Sequence, residues 1–125
     1  MKQHNQDFIQ LAQDARTRIR EVNIDTVKDI IDLKQAILLI DVRELDEWQA
    51  GHLPNATHLS KGIIERDIKQ FVTDPNTPII TYCGGGSRSA LVTDNLQKMG
   101  YTQVSSMAGG FRGWQAAGHP IVAPT

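Results

Sequence analysis

The segment IITYCGGGSRSALVTDNLQKMG, residues 79–100, runs from an apolar stretch through three glycines into a helical pattern. Residues 79–83 read as a strand buried on both faces, because apolar and β-branched residues follow one another without polar alternation. Residues 89–100 read as a helix with Ala90, Leu91, Leu96 and Met99 as packing positions and Gly100 ending it. Between them lies a strand-to-helix turn with Cys83, the single cysteine, at its entrance. In parallel α/β sheets, ligands bind at the carboxyl ends of strands.

The flanking sequence repeats this alternation. Upstream, AILLIDV (36–42) is a second buried-type strand that ends in a polar group, and ELDEWQAG (44–51) is a short acidic helix stopped by Gly51. HLPNATHLS (52–60) gives a turn and a brief strand, and IIERDIKQFV (63–72) has helical spacing at Ile64, Ile68 and Phe71. Downstream, VSSM (104–107) is a short strand and GGFRGWQAAG (109–118) a glycine turn opening a last helix. At the N-terminus, Phe8, Leu11, Ala12, Ala15, Ile19 and Val22 recur at three- and four-residue spacing, which predicts an amphipathic helix packed on the domain within residues 1–22. Asp25 or Thr26 is positioned to cap a following helix bearing Val27, Ile30, Ile31 and Leu33. Strands alternating with helices predict an α/β domain with a mainly parallel sheet covered on both faces, spanning residues 23–123.

The totals agree with one ordinary domain. The chain has 125 residues, 40% hydrophobic and 22% charged, with a formal net charge of −1. Such a balance gives no general attraction to nucleic acid or anionic membrane. No apolar run approaches the roughly 20 residues of a membrane helix, and the N-terminal stretch lacks the apolar core of a secretory signal. One cysteine forms no intrachain disulfide. A cytoplasmic protein is the expectation.

Chemistry concentrates at Cys83. Gly84, Gly85 and Gly86 permit positive φ, so successive amides can form an anion-binding nest. A helix beginning near Ser89 adds free N–H groups and the positive end of its dipole. Arg88 adds a permanent cation, and Ser87 a hydroxyl. Each favours negative charge on sulfur, so Cys83 is expected to be a thiolate below the ordinary thiol pKa of ~8.5, with at least three loop amides on it. The plainer reading, a small buried hydrophobe before a turn, fits the cysteine or the glycines taken singly but not their coincidence with Arg88. Protein-tyrosine phosphatases place five residues between cysteine and arginine. Here there are four, and the smaller bowl suits one extra sulfur atom better than a phosphoryl group.

The blocks LLIDVRELDEWQAGHLPNATHL (38–59) and YCGGGSRSALVTDNLQKMGYTQVSSMAGGFRGWQAAGHPI (82–121) resemble the single-domain rhodanese family of sulfurtransferases. The likeness runs from about Ile24 to Val122 and comprises four motifs in the family's order. They are the Asp-Val-Arg-Glu strand end, the Gly-His-Ile-Pro-Gly-Ala turn, the cysteine loop and the Gly-Gly-Φ-x-x-Trp element. The resemblance implies a central, mostly parallel five-stranded sheet, Cys83 as nucleophile, and Gly84 to Ser89 as the persulfide cradle. It implies sulfur transfer from thiosulfate or another persulfide donor to cyanide or a thiol, with no metal and no organic cofactor. It makes Asp41 and Arg43 supports of the site wall, with Glu47 pairing Arg43. The family's loops often carry further basic or polar side chains that hold the donor, whereas only Ser87 and Arg88 break the glycines here. Leu45, Trp48 and Asn55 also depart from the usual Pro, Phe or Tyr, and Gly; asparagine tolerates the left-handed φ such a turn needs.

Other classes stay open at this stage. A non-catalytic module of the same fold would bind a partner and have little need of Cys83. A phosphatase or arsenate reductase would want a longer loop and a nearby acid. A Cys–His dyad would need His52, His58 or His119 beside Cys83, and these are too scattered to ligate a metal with it. Trp114 and Phe111 read as core or pocket wall. The partners expected are a small sulfur donor and its acceptor, with no nucleic acid and no membrane, the protein being a monomer or homodimer.

Overall fold

A computed structural model describes residues 5–123. Five strands, β1 (Arg20–Val22), β2 (Leu38–Asp41), β3 (Thr57–His58), β4 (Ile79–Tyr82) and β5 (Val104–Met107), form one sheet in the order β1-β5-β4-β2-β3. Every paired neighbour runs parallel, as expected of an α/β sheet whose crossovers carry helices. Those helices are α1 (Gln6–Arg16), α2 (Ile24–Asp32), α3 (Leu45–Ala50), α4 (Ile64–Asp67), α5 (Ser87–Lys98) and α6 (Gly110–Ala116), with a 3-10 turn at Ile68–Gln70. Among the described residues, no helix is long and apolar enough to cross a membrane.

Side-chain alternation along β2 and β4 divides the core in two. Ile40, Val42, Ile79 and Cys83 join Ile64, Ile68, Val92 and Leu96 on the α4–α5 face. Leu39, Ile80 and Tyr82 join Val27, Leu53, Met107 and Trp114 on the α2–α6 face. Both faces being apolar explains why β2 and β4 lack a polar stripe. β4 lies at the centre, so Cys83 emerges from the middle of the sheet's carboxyl edge.

Four local expectations are corrected. The N-terminal helix stops at Arg16, and residues 20–22 form an edge strand paired with Ser105–Met107; the first four residues lie outside the described ones. β1 leads into α2 with one residue between them, so the cap falls on Asn23, whose Oδ1 accepts the Thr26 N–H at 2.8 Å, rather than on Asp25 or Thr26. Val72, four residues beyond Ile68, takes the inward position, leaving Phe71 half exposed. On α5 the buried side chains are Ser89, Ala90, Val92, Thr93, Asp94 and Leu96, while Met99 faces out. The broad buried face follows from α1, which packs on α5, and from Arg18 just beyond it, which reaches Asp94 at 2.8 and 3.1 Å.

Candidate active site

The loop between β4 and α5 folds back on the cysteine. Gly86 N–H donates to Cys83 Sγ at 3.1 Å and Ser89 N–H at 3.4 Å. Ser89 Oγ lies 3.5 Å from the sulfur and pairs with Ser106 Oγ, from β5, at 2.7 Å. Two amides therefore donate to the sulfur where three are expected, and the Ser89 hydroxyl accepts from the thiol. The reason is that α5 begins at Ser87, which puts Ser89 in its first turn, where N–H groups have no intrahelical partner. The N–H groups of Gly84, Gly85, Ser87 and Arg88 have no hydrogen-bond partner among the described residues. Cys83 as a whole is 1% exposed. It thus has apolar neighbours on the core side and polar hydrogens on the loop side.

Of the three loop glycines, Gly86 alone adopts positive φ, at +108°. The expectation that all three serve backbone freedom is corrected: Gly84 and Gly85 are small for a different reason, taken up below. The close approach comes from α6. Phe111 N–H donates to Cys83 O at 2.8 Å and Arg112 N–H to Gly84 O at 3.0 Å. Gly110, at φ +59°, sits so near that a Cβ there would lie 2.6 Å from both carbonyl oxygens. The Gly-Gly pair before α6 is thus a docking surface for the cysteine loop.

Asp41 and Arg43 form a buried pair, 0% and 4% exposed. Arg43 Nη2 donates to Asp41 Oδ2 at 2.8 Å and to Gly51 O at 2.7 Å, and its guanidinium stacks 4.2 Å over the Phe111 ring. Tyr82 Oη donates to Asp41 Oδ2 at 2.7 Å and accepts from Leu53 N–H at 3.1 Å; burial pushes the phenol pKa far up. The pair braces β2 against the 51–53 turn and the Phe111 end of α6.

Glu47 is not its partner. Glu47 instead receives both arms of Arg88, at 2.7 and 3.0 Å, and this bridge holds its carboxyl below the usual glutamate range. The expected Arg43–Glu47 pairing is corrected, because Asp41, two residues away on the same strand end, already saturates Arg43. A lowered carboxylate pKa contributes stability above the unfolded value of ~4.3 and loses it as pH falls through the folded value. Glu47→Gln is therefore expected to cost about 0.5–1 kcal/mol near neutrality, since the bridge is partly solvated. That gap narrows as pH falls below about 4, which urea titrations at pH 7 and at successively lower pH measure.

The three histidines among the described residues stand elsewhere. His58 Nε2 meets Arg43 O at 2.8 Å, His52 stacks on Trp48 at 3.4 Å, and His119 packs edge-on to Trp114 at 4.9 Å. None forms a dyad with Cys83. Asn55 has φ +65°, so the turn survives the loss of its usual glycine. Trp114 is fully buried, with Nε1 donating to Pro120 O at 2.8 Å, and is core rather than clamp. Sequence reasoning missed two cations at the loop. Arg16 from α1 reaches Ser87 Oγ at 3.4 Å, and Arg112 from α6 lies over Gly84 and Gly85. A cation two residues past a glycine pair was the available signal for Arg112.

With this geometry in place, likeness to known proteins is decisive. The description of the rhodanese-like domain matches residues 23–117. The chain belongs to the rhodanese-like domain family. Against thiosulfate sulfurtransferase GlpE of Coxiella burnetii, this rhodanese-like chain is 34% identical over 87 residues, 70% of its own length and 78% of that protein's. It is 27% identical over 96 residues to a sulfur carrier protein, YrkF, of Bacillus subtilis, covering 77% of itself but only 51% of that relative. Among solved structures, the polysulfide-sulfur transferase homodimer of Wolinella succinogenes superposes with a TM-score of 0.78 at 26% identity, over 93% of this chain and 87% of that one. The rhodanese-like fold and a general kinship with sulfur-transferring proteins follow.

Proposed function

We propose that this protein is a sulfurtransferase that carries sulfane sulfur on Cys83, taking it from thiosulfate or an alkyl persulfide and passing it to a thiol or cyanide. The observation that carries this reading is the pair of N–H groups on Sγ, at 3.1 and 3.4 Å, beside four loop amides without partners. In the first half-reaction the Cys83 thiolate attacks the outer sulfur of the donor. A new S–S bond forms, the donor's S–S bond breaks, and its electron pair leaves with sulfite or a thiolate. The outer sulfur now bears the negative charge, and the N–H groups of Gly84 to Ser89 are the donors available to it, acting as an oxyanion hole acts on oxygen. In the second half-reaction the acceptor attacks the outer sulfur and Cys83 leaves as thiolate, again held by Gly86 and Ser89. With Cys83 buried, the acceptor meets the added sulfur rather than Sγ, which favours transfer over a mixed disulfide. Two displacements through a covalent intermediate give ping-pong kinetics.

The test is intact mass after incubation with thiosulfate and, separately, with glutathione persulfide, using Cys83→Ser as control. A gain of one sulfur atom in the native protein and none in Cys83→Ser is expected. Failure of both donors to load Cys83 overturns the reading, and turnover of an aryl phosphate instead would assign the site to phosphoryl transfer.

A further inference from the structure

Gly84 and Gly85 have no conformational need to be glycine, since neither lies at positive φ. What their missing side chains leave room for is a guanidinium. A Cβ on Gly85 would overlap Arg112 Nη2 and lie 3.1 Å from its Cζ, and one on Gly84 would lie 3.0 Å from both Arg112 Nη1 and Arg88 Nη2. The backbone of Arg112 is tied to the same place, its N–H donating to Gly84 O at 3.0 Å, while Gly110 lets α6 come this close.

Three arginines thus surround a loop of almost bare backbone, and two are committed. Arg88 is paired with Glu47, and Arg16 contacts Glu21 at 3.5 Å and Ser87. The Arg112 guanidinium has no ion pair or hydrogen bond among the described residues. An exposed planar fork of donors, lying over the neutral backbone of Gly84 and Gly85 and lacking a counter-ion among the described residues, is suited to receive an oxyanion.

We propose that Arg112 is the donor-binding residue of this site and selects sulfane donors that carry a sulfonate, doing from α6 what the loop's own side chains do not. The inference rests on the sulfurtransferase reading of Cys83. Thiosulfate fits: its outer sulfur goes to Cys83 Sγ, the bond between its two sulfurs breaks, and sulfite departs with the electron pair. Thiolate and thiosulfate enter with three negative charges, and persulfide anion and sulfite leave with three. Arg112 holds the sulfonate oxygens before attack and the sulfite after it.

The test compares thiosulfate with cysteamine persulfide, a donor without an acid group, in steady-state kinetics on the full chain. Arg112→Gln is expected to raise KM for thiosulfate roughly 10- to 100-fold, the worth of a charge-assisted contact. Its kcat/KM for cysteamine persulfide should stay within about twofold by the same reasoning. Arg112→Lys should recover part of the loss. Equal kcat/KM for thiosulfate in Arg112→Gln and the native protein overturns the proposal, as does an equal loss with both donors. A native protein that accepts persulfide but not thiosulfate also overturns it while leaving the sulfurtransferase reading intact. If neither donor loads Cys83, both fall together.

Discussion

Replacing Asp41 by alanine is expected to destabilise the fold by about 3–5 kcal/mol, the cost of stranding a buried charge. Arg43 would stay 4% exposed without its counter-ion, and the Tyr82 hydroxyl would lose the acceptor it holds at 2.7 Å. For a domain of this size the melting temperature should fall by roughly 10–20 °C. Asp41→Asn, which keeps an acceptor but not the charge, should fall between the two. A double change of Asp41→Ala with Arg43→Met should recover part of the loss, since a removed pair is cheaper than a broken one. Denaturant titrations of the four proteins decide the matter; a single Asp41→Ala variant within 1 kcal/mol of native, against the ~3 expected, would mean that water replaces the carboxylate.

The second large effect is expected at Gly110. An alanine there would carry a left-handed φ, costing about 1–2 kcal/mol, and its methyl group would press on Cys83 O and Gly84 O at 2.6 Å. Those atoms are backbone and cannot swing aside. Relief requires α6 to back away, giving up the two hydrogen bonds from Phe111 and Arg112, each worth about 0.5–1.5 kcal/mol. A total of about 2–5 kcal/mol follows, together with slower loading of Cys83 by every donor. Gly85→Ala provides the contrast, because what it meets is the flexible end of Arg112. If Gly110→Ala melts with the native protein and loads sulfur normally, α6 does not shape the loop.

The parts of this molecule that sequence made legible are those where local chemistry and fold agree. β4 and β2 declared themselves as unbroken apolar runs because both faces of the sheet are covered, and Asn55 was readable as a left-handed turn residue. β1 was not legible. Three residues, of which Arg20 and Glu21 are exposed, hold too few alternations to interrupt the helical spacing that continues through Ile19 and Val22, and the strand exists only because β5 offers it an edge. The buried face of α5 was misread for a similar reason. Thr93 is inside because Thr81 of β4 meets its hydroxyl at 2.9 Å, a partner twelve residues away that no periodicity marks. At the site, Cys83, Gly86, Arg88 and Ser89 could be named from one loop, whereas the true partner of Glu47 and the reach of Arg112 depend on how three separate segments converge.

The tethering of Cys83 O and Gly84 O by α6 also has a bearing on biosynthesis. With both oxygens tied down, the peptide planes of the loop have one settled polarity, and that polarity is imposed by residues 110–112, more than two dozen positions downstream of the thiol. A nascent chain that has just exposed Cys83 therefore lacks this loop polarity until residues 110–112 have followed and docked. On the sulfurtransferase reading proposed above, sulfur loading of the chain's single thiol therefore waits until the final helix has docked.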